Sequence, residues 1–161
     1  MDSRFRRSDQ VARNVAAVQR GWDAANATTI TVERVRRGEL EGVFEVLDRG
    51  IVWDVSDLGI PGLGTYYGHR GVRVFWIDWF EVVGDAQTNI LELRGSGDKV
   101  FALCRQTGSG MASGATVVWE FAMVFTMRAE MVVRMDMYAD ADEALQAAGL
   151  EPAEVPLPEP L

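Results

Sequence analysis

An α+β fold is predicted for this chain by the order of its periodicities. Helical spacing dominates the first half, and extended segments joined by short turns follow one another after residue 88. Between the two, residues 69–83 carry a dense apolar face of Val72, Phe75, Trp76, Trp79, Phe80 and Val83, which must cover one side of a sheet. A length of 161 residues with 48% apolar composition suits one domain with a sizeable core.

Each element has its own signal. Val11, Val15, Val18 and Trp22 recur at three and four residues and predict a helix over 8–26, with Ser8-Asp9 as N-cap. The β-branched stretch Ala27-Thr28-Thr29-Ile30-Thr31 either breaks that helix or leads into a second one near Thr31 that takes in Val32 and Val35. After Gly38, the residues Leu40, Val43, Phe44 and Leu47 form a further helical stripe, ended by Arg49-Gly50. Ile51 to Val55 reads as a short strand, and the Gly/Pro-rich run 59–64 as a loop. Beyond the helix 69–83, strands are predicted at 89–93, 99–107, 115–128 and 132–138, the first two joined by a tight turn at Gly95-Ser96-Gly97-Asp98. Gly108-Ser109-Gly110 opens a longer loop before the third strand. The segment 115–128 is long for a strand and must bend or overrun the core. A short helix starting at Asp140 is stopped by Gly149. The tail 151–161 holds four of the five prolines and reads as an extended arm, with Val155 and Leu157 available to dock on the body.

Composition excludes several function classes. A net charge of −8 opposes a nucleic-acid partner, which needs a basic face to neutralise phosphates. No apolar run approaches the roughly 20 residues of a membrane helix, and the basic N-terminal residues lack an apolar segment behind them, so neither a membrane span nor a secretory signal is expected. One cysteine, Cys104, precludes an internal disulfide framework and suits a cytoplasmic location. With a single histidine and no cysteine cluster, no metal site is expected.

The chemistry-bearing residues cluster around the first strand. Val52-Trp53-Asp54 puts one carboxylate at a strand end beside aromatics, the setting that raises a carboxyl pKa and makes a general base. After the Gly-rich loop come Tyr66 and Tyr67, which offer phenols at the start of the next helix, and His69, whose ordinary pKa lies near neutrality. Strand alternation groups Trp119, Phe121, Met123 and Phe125 on one face and Glu120, Ala122, Val124 and Thr126 on the other. Trp76 and Trp79 share a helix face. Arg105 alternates with Leu103 and Phe101. Buried, it pairs with Asp54 or Glu120 or binds an anionic ligand; facing outward, it serves a dimer interface.

The order helix, Arg37-Gly38-Glu39-Leu40, Val52-Trp53-Asp54, Tyr66-Tyr67-Gly68-His69-Arg70-Gly71-Val72, then Ser113-Gly114 and the ending 138–150, resembles the SnoaL-like members of the nuclear-transport-factor-two-like superfamily. The likeness spans roughly Asn14 to Leu150, with Ala27 to Val35 as an insertion. It implies one cone domain over 1–150, residues 1–13 being an N-terminal extension. It also implies a strongly curved mixed or antiparallel sheet wrapped around about three helices, a cystatin-like cone with an apolar pocket. The superfamily includes ketosteroid isomerases, polyketide cyclases, limonene-type epoxide hydrolases, dehydratases and non-enzymatic modules, so fold alone does not settle activity.

By the same resemblance Asp54 takes the place of the isomerase general base. The isomerases' first-helix tyrosine has no counterpart, Trp22 being the nearest aromatic, and their protonated aspartate falls near Met123. The Arg-x-Asp pair of the epoxide hydrolases would place its arginine at Arg105, but Thr107 stands at the aspartate position. The reading that follows is a homodimer, paired through its convex sheet, that binds a small hydrophobic molecule in a pocket of Trp53, Trp76, Trp119, Phe121 and Met123. Its chemistry would be cofactor-free acid/base catalysis by Asp54, with Tyr66, Tyr67, His69 or Arg105 as donors. The alternative is a non-catalytic binding or dimerisation module.

Overall fold

The computed structural model describes residues 3–26, 29–109 and 114–152. The expectations placed on Ala27, Ser113, Val155 and Leu157, and on the tail beyond Pro152, lie outside these residues. Helix α1 (Ser3–Asn26) begins well before the predicted cap, and the Ser8 hydroxyl donates to the Arg4 carbonyl at 3.2 Å within it. The arginines that precede Ser8 are good helix formers, so the helix has no reason to wait for a cap. Helix α2 (Val32–Arg36) starts at Thr31, whose hydroxyl accepts from the Arg34 N–H at 3.1 Å.

The stripe at Leu40 to Leu47 is not an α-helix. Residues Glu41–Glu45 make a short 3-10 turn, and β1 (Leu47–Asp54) has already begun at Leu47, so Arg49-Gly50 lies inside a strand. Short apolar runs satisfy both periods, and here pairing with a distant strand decides. A second 3-10 turn (Ser56–Leu58) leads to β2 (Thr65–Tyr67), a three-residue strand too short to announce itself. Helix α3 (Gly68–Val83) follows, then β3 (Ala86–Ser96), β4 (Lys99–Gly108), β5 (Val117–Arg128), β6 (Met131–Tyr138) and α4 (Ala141–Ala148). Asp140 caps α4 through bonds from the N–H groups of Asp142 and Glu143, and Gly149 ends it at φ 72°.

The strands form one curved, unclosed mixed sheet in the order β2-β1-β6-β5-β4-β3. Every neighbouring pair is antiparallel except β1 and β6. The pairing of β5 with β6 shifts register between Thr126 and Met127, which bends the long strand as its length requires. The two faces bury different things. The inner face packs on α1 and α3 in the main core, and Trp53, Phe121, Met123, Phe125 and Met135 point there. The outer face carries a smaller core of Phe101, Ala122 and Val124 under Ala144, Leu145 and Ala148 of α4. The face expected to pair with a second chain is thus partly occupied by the chain's own last helix.

Candidate functional site

A cavity of about 100 Å³ lies between α1, α3 and the inner face of the sheet. Val18 and Trp22 of α1, Phe75, Trp76 and Trp79 of α3, and Trp53, Phe121, Met123, Phe125 and Met137 of the strands line it. Period-two alternation on β5 brings Phe121, Met123 and Phe125 to one side, as the sequence indicates. Trp119 shares that face but stands behind the wall, its ring tilted against Trp79 at 5.1 Å and against Phe121 at 5.0 Å. Among the described residues, none that lines it is ionisable.

The cavity's polar end belongs to Gln106 and Thr88, both more than nine-tenths buried. Gln106 Oε1 accepts from Trp79 Nε1 at 3.2 Å and from Trp119 Nε1 at 3.1 Å, and its Nε2 donates to Thr88 Oγ1 at 2.9 Å. The amide is thereby fixed: an oxygen facing two indoles must be an acceptor, so the nitrogen faces Thr88. Among the described residues one buried side-chain donor has no partner, the indole N–H of Trp53. Trp53 is 5% exposed and lines the same cavity.

The five residues read as catalytic are not brought together. Asp54 pairs in register with Asp136, which pairs with Val124 of the outer core, so its carboxylate lies on the α4 side of the sheet, away from the cavity. There it accepts from the Ser56 hydroxyl at 2.6 Å, the Ser56 N–H at 2.9 Å and Arg134 Nη2 at 2.9 Å. Burial pushes its pKa up, but these hydrogen bonds and the Arg134 charge outweigh burial, and the net shift is below the ordinary aspartate value. This corrects the expected acid against an aromatic wall. Strand alternation sends Trp53 inward and its neighbour Asp54 outward, so adjacency in sequence is separation in space.

Tyr66 follows Trp53 to the inner face, packs edge-on against Phe75 and donates to Asp78 Oδ2 at 3.2 Å. Burial, reinforced by the Asp78 charge, raises its pKa and keeps the phenol protonated. Tyr67 is exposed. His69 stacks on Phe44 at 4.4 Å and bonds through Nε2 to the Leu47 carbonyl at 2.8 Å. A carbonyl only accepts, so Nε2 carries the proton. Arg105 faces outward and pairs with Glu120 at 2.8 Å, with both side chains about half exposed.

Sequence reasoning passed over two groups. Gln106 is a polar interruption in the apolar alternation Val100, Ala102, Cys104, and that interruption was its signal. The Arg-x-Asp spacing sought at Arg105 occurs instead at Arg134-Met135-Asp136. There the guanidinium joins Asp136 at 2.9 Å to Asp54 at 2.9 Å.

Solved structures share this architecture. TerC, co-crystallised with polyporic acid, is 22% identical, with a TM-score of 0.63 over 84% of this chain and 97% of its own. An NTF2-like protein of unknown function from Burkholderia pseudomallei is 19% identical, with a TM-score of 0.60 over 84% and 97%. An LEH-like epoxide hydrolase of M. tuberculosis is 13% identical, with a TM-score of 0.55 over 86% and 91%. These likenesses establish the fold and nothing finer. No curated protein matches the chain significantly. Residues 28–135 match the family described as the SnoaL-like domain, and the chain, which has the fold of the NTF2-like structures, therefore belongs to that family.

Proposed function

We propose that this protein binds a small uncharged hydrophobic molecule in the inner cavity without transforming it. The observation that carries the reading is the lining: aromatic and aliphatic walls, one buried amide–hydroxyl pair, and no ionisable side chain. Proton transfer needs a group that gains or loses a proton within reach of the ligand, and these walls supply none. A volume of about 100 Å³ is below the roughly 300–1,000 Å³ of sites for drug-sized ligands and near that of an engineered cavity that takes benzene. The occupant is then about one ring in size. That TerC was co-crystallised with polyporic acid supports the use of this fold for organic ligands.

The test is thermal stability across a panel of one-ring and fused-ring compounds. A ligand that binds only the folded state raises the Tm with its concentration. Met123→Trp, which fills the cavity, should abolish the shift. A panel without a shift, or a shift that survives Met123→Trp, rejects the reading.

The competing reading is acid/base catalysis by Asp54, supported by the carboxylate–guanidinium–carboxylate array of Asp54, Arg134 and Asp136. It requires turnover of an epoxide or carbonyl substrate that Asp54→Asn eliminates while the fold is kept. Ligand binding that is indifferent to Asp54→Asn favours the binding module.

A further inference from the structure

Resting on the reading of the inner cavity as a ligand site, we infer that the Trp53 indole N–H is its recognition donor and that the ligand class is a neutral one-ring molecule carrying a hydrogen-bond acceptor. A buried N–H without an acceptor is rare in folded proteins, because it forfeits the hydrogen bond it had in water. By contrast the indoles of Trp79, on the same wall, and of Trp119, behind it, both donate to Gln106. Trp53 Nε1 is fully buried, has no partner, and belongs to a residue of the cavity wall. The nitrogen itself has no accessible surface, so an acceptor on a bound molecule reaches it by displacing a neighbouring side chain of the wall.

The rest of the cavity sets the charge and polarity of that molecule. Thr88 accepts from Gln106, and its own hydroxyl proton meets no acceptor among the described residues. Both lone-pair directions of Gln106 Oε1 are taken by indoles. Trp53 and Thr88 therefore offer two unmatched donors, against one remaining acceptor position on the Thr88 hydroxyl. That balance favours a ligand that brings an acceptor over one that brings only donors. No cation lines the cavity, so a carboxylate would be desolvated without a counter-charge. An uncharged ring bearing a carbonyl, nitrile or ether fits; an anion does not.

The decisive comparison is acetophenone against α-methylstyrene, which have the same shape and differ in C=O against C=CH2. Binding is read from the chemical shift of the Trp53 indole N–H in ¹⁵N-labelled protein, assigned by Trp53→Phe, and from calorimetry. The expected result is a downfield shift with acetophenone only and about five- to tenfold tighter binding than α-methylstyrene, the size of one neutral hydrogen bond. In Trp53→Phe the two affinities should converge. Benzoate should not bind.

Equal affinities in the native protein, or a preference that survives Trp53→Phe, overturn the donor role while leaving the cavity reading intact. Tight binding of benzoate overturns the ligand class. Binding of neither compound removes the cavity reading and the inference with it. Should Trp53→Phe fail to fold, the native affinity ratio and the indole shift decide alone.

Discussion

Trp53 and Asp54 are consecutive residues that serve opposite faces of one sheet. The indole lines the inner cavity, while the carboxylate is held at 2.9 Å by Arg134 on the side covered by α4. A chemical reading that joins them in sequence comes apart in space, and the consequences can be measured.

Asp54→Asn should act on stability and not on ligand binding. The folded-state pKa of Asp54 lies below its ordinary value of about 3.9, so the ionised form is the one the fold stabilises. That contribution is complete above the ordinary value and is lost as pH falls through the folded-state value. The variant should therefore melt lower than the native protein at pH 7, by an amount of order 1 kcal/mol for a part-exposed pair. The gap should close in strongly acidic solution. A gap independent of pH would contradict the ion-pair account.

Gln106→Leu should cost far more. It leaves the indole donors of Trp79 and Trp119 without an acceptor and removes the partner of Thr88. Unsatisfied buried groups cost about 1–3 kcal/mol each before relaxation, so a loss of about 2–5 kcal/mol in urea denaturation is expected.

The turn between β5 and β6 is chemically mismatched to its geometry. Arg128 pairs with Met131, leaving a two-residue loop in which Ala129 and Glu130 both adopt positive φ, at 51° and 62°. Such loops favour Asn-Gly. The double replacement Ala129→Asn with Glu130→Gly should raise stability by about 1 kcal/mol, read as a higher Tm.

Burial pushes the Cys104 thiol up to about 12. Its side chain is fully enclosed in the main core. Alkylating reagents at pH 8 should leave the native protein unlabelled, and labelling should appear in step with unfolding in denaturant.

What the sequence made legible follows from which interactions are local. The apolar face of α3, the alternation of β5 and the caps of α4 are decided within a few residues, and each is present in the structure. The segment at Leu40 to Leu47 misled because its apolar spacing suits two periods, and the choice lies with β6 far along the chain. The start of α1 was missed because arginines carry a helix without a cap signal. For the site, the aromatic wall was readable from alternation. Its polar end was not, because Thr88, Gln106, Trp79 and Trp119 meet only once β3, β4, β5 and α3 have packed.

The parallel seam between β1 and β6 also bears on how the chain reaches its fold. Asp54 and Arg134 are 80 residues apart in sequence. The hairpins of β3 to β6 close short loops and can form early, whereas β1 and β2 must wait for β6 to offer an edge. Until β6 is in place, β1 has only the three-residue β2 to pair with. Refolding should accordingly show the β3–β6 meander protected from hydrogen exchange before β1. Destabilising the seam should speed unfolding more than it slows folding.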